Sequence, residues 1–316
     1  MTDDSPLRSV VCGLAFQNPI ILAAGTAGYG EELAGVMHLE RLGGFVTKAV
    51  SREPRSGAPA PRVAEFLGGM INAVGLANPG LEAVRREHLP WMATHYPDTR
   101  KLVNVVGFTT DEYPSVIAGL EASLADGLDQ AIDGYELNVS CPNTRAGGME
   151  FGADPTSLRV VVENSRRETR RPIFVKLSPT LADIGDAARI AADAGADGIS
   201  VVNTIPGLVI DVERRRPALG FGTGGVSGPA ILPVGVLATW KVRRAVRLPI
   251  LGLGGVASGT DALQYIIAGA SLVGIGTAAM RDPRAPERIV TELAAWCARR
   301  GVNQIQQLTG TLEWPS

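Results

Sequence analysis

The sequence predicts an α/β fold, a single-domain (β/α)8 barrel spanning residues 1–316. Three observations carry this expectation. Eight short apolar runs alternate with eight longer amphipathic stretches from one end of the chain to the other. The runs are near-continuously apolar rather than alternating, which is how strands read when both faces of a parallel sheet are covered. No Ser/Pro-rich linker or low-complexity tract divides the 316 residues, so one large core is expected. An open doubly wound sheet has the same order of elements, because periodicity does not fix closure.

The strands are expected at Pro19 to Ala24, Phe45 to Ala49, Leu102 to Val106, Tyr135 to Val139, Ile173 to Leu177, Gly198 to Val202, Ile250 to Leu253 and Leu272 to Ile275. Helices are expected near Glu31 to Arg41, Leu81 to His95, Tyr113 to Ala125, Pro155 to Thr169, Ile184 to Ala194, Pro229 to Val246, Thr260 to Ala268 and Pro286 to Arg299. Pro155, Pro229 and Pro286 suit first turns, where a missing N–H costs nothing, and Gly127, Gly195, Gly269 and Gly301 suit helix ends. The stretch from Ile205 to Gly228 is long for a barrel connection and rich in glycine, which suggests a covering segment. The pattern is that of a TIM barrel.

Composition narrows the function. Thirty Lys plus Arg nearly balance 32 Asp plus Glu, so no global field draws the chain to nucleic acid or an anionic membrane. A small-molecule ligand is expected. The first ten residues hold Asp3, Asp4 and Arg8 and no apolar h-region, and no later run is long enough for a membrane span. A cytoplasmic protein is the expectation. The three cysteines, Cys12, Cys141 and Cys297, lie far apart with no CxxC pair, against a disulfide framework, a zinc site or an iron–sulfur cluster in this chain. No metal site is expected.

Barrels of this kind build their sites from the carboxyl ends of the strands. Here asparagine or lysine closes five of the eight strands, through Lys48, Asn104, Asn138, Lys176 and Asn203. Only four lysines occur against 26 arginines, yet Lys48 and Lys176 both fall at strand ends. A compact ammonium suits a substrate carboxylate or a ring that gains negative charge on reduction. Surface lysines capping strands are the bland alternative, and that reading is preferred for Lys101 and Lys241.

Gly254-Gly255 and Gly276-Thr277 follow the last two strands, where barrels commonly hold a phosphate on bare backbone N–H groups. Gly252 to Ala257 also matches GxGxxA, but about twenty residues on, where a dinucleotide site wants an acid, stands Ser271-Leu272. A mononucleotide fits better than NAD, and tight turns alone are the competing explanation. Cys141 sits just past the fourth strand, before Gly147, Gly148 and Gly152 in a loop able to close. A thiol there is either a base or nucleophile, or a buried inert group. Cys12 and Cys297 read as packing residues. His38, His88 and His95 fall within expected helices, which disfavours an imidazole base. Arg166-Arg167, Arg170-Arg171 and Arg214 to Arg216 read as solvated faces.

These residues also carry a longer pattern: Thr47-Lys48, Glu53-Pro54-Arg55, Pro61 to Glu65, Asn72 to Leu76, Asn138-Val139-Ser140-Cys141-Pro142-Asn143, Val175 to Pro179, Asn203-Thr204 and Gly225 to Ala230. The chain resembles dihydroorotate dehydrogenases, over about Gly13 to about Arg299. Cysteine in the NxSCPN segment resembles class 1. Gly147 to Gly152 and Met70 to Leu76 resemble class 1B, the NAD-linked form whose catalytic subunit works with a separate subunit carrying FAD and an iron–sulfur cluster.

The resemblance implies oxidation of dihydroorotate to orotate in pyrimidine biosynthesis, with Cys141 as the base at C5 and hydride passing from C6 to FMN. It implies catalytic roles for Lys48 and Lys176 beside Cys141. FMN would meet Ala24, Gly25, Lys48, Ala49, Asn104, Asn138, Lys176, Val202, Gly228, Gly254, Gly255, Gly276 and Thr277. Substrate would meet Lys48, Asn72, Ala73, Val74, Gly75, Leu76, Asn138, Asn203 and Thr204, with Asn143 a further contact. It also implies a homodimer at the core of a heterotetramer, with FAD and [2Fe-2S] only in the partner subunit. Ala24 departs from the pattern, since class 1B sequences typically have serine there. Rival readings are a fumarate-linked class 1A homodimer, a dihydropyrimidine dehydrogenase-like FMN barrel and a barrel that binds a phosphorylated ligand without redox chemistry.

Overall fold

The computed structural model describes residues 5–139 and 151–315. Eight parallel strands close into a barrel: β1 (Ile20–Leu22), β2 (Gly44–Val46), β3 (Arg100–Val105), β4 (Gly134–Asn138), β5 (Ile173–Leu177), β6 (Gly198–Val201), β7 (Ile250–Leu253) and β8 (Leu272–Ile275). Each strand pairs with its sequence neighbours and β8 pairs with β1. Closure is therefore the outcome, and the open sheet is excluded. The boundaries expected for β5, β7 and β8 agree with those observed.

Helices pack outside the strands for local reasons. In the helix Pro155–Glu168, the Asp154 carboxylate accepts from Ser157 N at 2.8 Å and proline occupies the first turn. Asp183 caps Ile184–Asp193 in the same way, and Ser258 caps Gly259–Ala268. The helix Ala285–Arg300 stops at Gly301, whose φ of 64° is left-handed backbone that glycine adopts without strain. No helix among the described residues is long and apolar enough to cross a membrane.

The expected helix from Glu31 to Arg41 does not form. Two single 3-10 turns, Glu31–Leu33 and Leu39–Arg41, take its place. Gly30 just before it and Gly35 within it have positive φ, and the Glu32 carboxylate turns back to accept from Tyr29 N at 3.0 Å. The helical run 81–95 carries a π turn at Val84–His88, ahead of Pro90, which has no N–H for the regular ladder.

Two further pieces close the barrel's ends. Below, the hairpin Ser9–Val11 with Leu14–Phe16 turns through Cys12 and Gly13, both at positive φ. Its Val11 and Phe16 join Ile21, Val46, Leu102, Phe174, Leu251 and Leu272 in one apolar plug. Above, Val63–Phe66, Gly69–Asn72, Gly224–Ser227 and Ile205–Gly207 form a four-stranded antiparallel sheet. The segment expected to cover the barrel thus contributes paired strands.

Candidate active site

The plug leaves the barrel apolar at its lower levels, and polarity rises with each step towards the carboxyl ends. Strand register puts Asn104, Glu136 and Phe174 at one level, and Asn138, Lys176 and Ser200 at the next. Above them a cavity of about 550 Å³ opens between the strand ends and the antiparallel sheet, within the range of small-ligand sites.

The strand ends deliver most of the residues expected there. Ala24 and Gly25 after β1, and Lys48 and Ala49 after β2, line one side; Asn104 and Asn138 line the next. Lys176, Val202, Asn203 and Thr204 follow, and Gly254, Gly255, Gly276 and Thr277 close the circuit. From the sheet above come Asn72, Val74, Gly75 and Leu76, with Gly228 beyond the last sheet strand. Ala73 departs from the expectation. It is fully buried in a satellite cluster with Ala58, Ile71 and Leu219 and does not line the cavity. Cys141 and Asn143, with Gly147 and Gly148, lie outside the described residues.

Hydrogen bonds fix several of these groups. Tyr113 Oη donates to Asn138 O at 3.0 Å, and Asn203 Nδ2 donates to Asn138 Oδ1 at 3.4 Å. Asn203 Oδ1 accepts from Thr204 N at 2.8 Å, and Asn72 Nδ2 donates to Gly225 O at 3.2 Å. The Tyr265 hydroxyl donates to Gly254 O at 2.7 Å, and burial pushes its ionisation well above the ordinary phenol range.

Backbone conformation explains the glycines. Gly228, Gly254 and Gly255 have φ of 95°, 126° and 76°, and a Cβ on Gly255 would lie 2.6 Å from Leu232 N. At Gly25 and Gly276 the position of a Cβ faces open space, with nothing nearer than 3.8 Å. Bare backbone thus borders the cavity where a phosphate can approach closely. Val202, Ile231 and Leu253 add apolar wall. A phosphate cradle, an apolar slot and cationic donors are what a flavin mononucleotide asks of a site.

One residue eluded the strand-end rule. Glu136 lies inside β4, two positions before Asn138, and its side chain is 1% exposed. Its Oε1 accepts from Asn104 Nδ2 at 2.7 Å and faces Lys176 Nζ at 3.4 Å. The available signal was an acid inside an otherwise apolar strand, Tyr135-Glu136-Leu137. Ser227 was also missed, and its hydroxyl accepts from Thr277 Oγ1 at 2.8 Å beside the glycines.

The remaining candidates fall elsewhere. Lys101 is not a surface lysine: it is fully buried, donates to Thr99 O at 2.7 Å and to Tyr96 O, and burial lowers its ionisation. Cys12 lies in the lower hairpin turn and burial pushes its thiol up to about 12. Cys297 is buried in the final helix. His88 stacks on Tyr29 and His95 on Trp91, and none of the three histidines lines the cavity. Arg166 and Arg171 are more engaged than solvated faces: they are half-buried and paired with Asp197 and with Glu121 and Asp129.

A site at the carboxyl face of a closed (β/α)8 barrel, ringed by amides and cations, defines the class as a barrel enzyme. A family model for dihydroorotate dehydrogenase matches residues 6–296. The chain is 45% identical over 305 residues to the dihydroorotate dehydrogenase B (NAD(+)) catalytic subunit of Pelobacter propionicus, covering 96% of this chain and 97% of that one. It is 47% identical over 310 residues to the putative dihydroorotate dehydrogenase A (fumarate) of Solibacter usitatus, covering 98% and 99%. A solved dihydroorotate dehydrogenase of Eimeria tenella, in complex with ferulenol, shares the fold at a TM-score of 0.81 and 23% identity, over 98% of this chain and 90% of that one. The chain belongs to the dihydroorotate dehydrogenase family, and it is an oxidoreductase.

Proposed function

We propose that this chain is the catalytic subunit of a class 1B, NAD-linked dihydroorotate dehydrogenase, oxidising (S)-dihydroorotate to orotate in pyrimidine biosynthesis. The observation that carries the reading is the convergence of Lys48, Lys176 and the asparagines with a bare glycine border in one cavity. The names of relatives such as those of Pelobacter propionicus and Geobacter metallireducens support class 1B.

FMN, when bound, supplies the acceptor for the hydride that leaves C6 of the substrate. Gly228, Gly254, Gly255, Gly276 and Thr277 would hold its phosphate end, and Val202 would contribute the apolar slot. Ala24 has no hydroxyl to offer, so its backbone and that of Gly25 serve instead. Asn104 and Lys176 line the cavity and would serve the part of the ring where negative charge develops, since a fixed ammonium lowers the energy of that state. Lys48 and Ala49 would contact both ring and substrate.

Asn72, Asn138, Asn203 and Thr204 provide the donors and acceptors that match an imide edge and a carboxylate. Val74, Gly75 and Leu76 cover the substrate from the upper sheet. Cys141 removes the C5 proton, with Asn143 a further substrate contact. Electrons leave through a partner subunit carrying FAD and [2Fe-2S], in a heterotetramer built on a homodimer of this cytoplasmic, single-domain chain.

The class 1A reading keeps one specific support, the Solibacter usitatus relative named for fumarate. Steady-state assays of the purified chain separate the two. Turnover with fumarate by the chain alone would support class 1A; NAD reduction only after adding a flavin and iron–sulfur subunit supports class 1B.

A further inference from the structure

Among the described residues, one carboxylate, Glu136, is buried in the interior beneath the cavity. Glu136 is 0% exposed, and its Oε1 meets both the Asn104 amide at 2.7 Å and the Lys176 ammonium at 3.4 Å. Its Oε2 is buried without a hydrogen-bond partner among the described residues. Holding a carboxylate so far from water is costly, and an apolar residue of similar volume would fill the space without that cost. Lys176 and Asn104 line the cavity, whereas Glu136 lies behind them. It cannot touch a ligand directly, but it touches two groups that can.

We propose that Glu136 is a positioning residue for the reaction: one interior carboxylate clamps the Lys176 ammonium and the Asn104 amide into the cavity floor, so that a fixed cation faces the flavin. This rests on the flavin reading of the cavity. An ammonium on a four-carbon stem has many rotamers, and a charged partner at its tip selects one of them before the ligand arrives. Pre-orientation matters because a dipole or charge already in place needs no reorganisation when the ring gains its negative charge.

The role has a signature that opposes simple electrostatics. Neutralising a bystander carboxylate near a flavin favours the reduced, anionic form, because a negative charge has been taken away. Neutralising an anchor does the reverse. A buried ammonium that loses its carboxylate partner is held less firmly in the floor as a fixed charge, and Lys176 lines the cavity whereas Glu136 does not. The net change is loss of positive field at the ring.

The test uses the full chain as apoprotein, with E136Q, K176M and the double variant, titrated anaerobically with oxidised and with reduced FMN. Wild-type protein that takes up no FMN would remove the flavin reading itself, before any variant is compared. With the wild type loaded, E136Q is expected to lower the preference for reduced over oxidised FMN by roughly tenfold, the scale of one charge-assisted contact. The same substitution made in K176M is expected to cause no such loss. A preference in E136Q that is unchanged or raised, or an equal loss in the K176M background, overturns the proposal. Should E136Q alone fail to fold, recovery of folding and FMN uptake in E136Q/K176M supports the pairing; failure of both variants assigns Glu136 to the core and overturns it.

Discussion

At the residue scale, two of the cysteines carry separate predictions. Cys141 is proposed as the proton acceptor, so Cys141→Ser is expected to slow flavin reduction by dihydroorotate by about 10²–10⁴-fold, the usual worth of a general base, while FMN stays bound. Stopped-flow reduction measures it; a near-normal rate removes the base assignment. Cys12 behaves differently. Its thiol is pushed from 9.0 up to about 12 by burial first and by the nearby Asp197 carboxylate second, so the folded state holds a proton that the unfolded chain gives up sooner. Its contribution to stability is intact below pH 9 and is lost as pH rises towards 12. Thermal melts across that alkaline range should show a shallower decline for Cys12→Ala than for the wild type, and parallel declines would contradict the assignment. Lys48 and Lys176 were legible in the sequence because a rare residue type recurred at strand ends. Glu136 was not, because its partners come from other strands and no local pattern announces a contact made across a barrel.

At the scale of elements, the lower hairpin and the upper glycine turns make opposite predictions. Phe16 is 2% exposed in the plug beneath the barrel. Phe16→Ala should cost about 3–5 kcal/mol of stability, seen as a lower Tm, with kcat of the folded fraction little changed because the lower face positions nothing that reacts. Gly255→Ala places a side chain where φ is 76° and the nearest backbone atom lies 2.6 Å away. Strain of about 1–3 kcal/mol is expected, and it should emerge as FMN affinity weakened roughly tenfold or more, read by fluorescence titration of apoprotein. Undiminished affinity would show that the glycine serves the turn alone. The barrel strands were readable since their apolar runs are local and continuous. The segment from Glu31 to Arg41 misled because its apolar spacing imitates a helix while Gly35 sits at φ 80° in its middle.

At the scale of the whole molecule, order and closure were foreseen to different degrees. Eight alternating units imply a parallel sheet, and the pairing of β8 with β1 supplies the closure that periodicity cannot. The antiparallel sheet above the cavity escaped notice for a related reason. Its strands are short and glycine-rich, and Asn72 pairs with Gly225 across 153 positions of sequence, a register that no window of local periodicity contains. Yet this sheet forms the roof under which Asn72 and Thr204 face the strand ends. Its closure over the barrel makes one cavity of residues drawn from nearly the whole chain.

The central claim is that dihydroorotate reduces a flavin held in that cavity. Anaerobic mixing of dihydroorotate with the FMN-loaded chain, without a partner subunit or external acceptor, tests it most directly. The account predicts that the visible flavin absorbance bleaches and that one orotate forms per flavin. A chain that binds no FMN, or a bound flavin that stays oxidised in excess dihydroorotate, would contradict it.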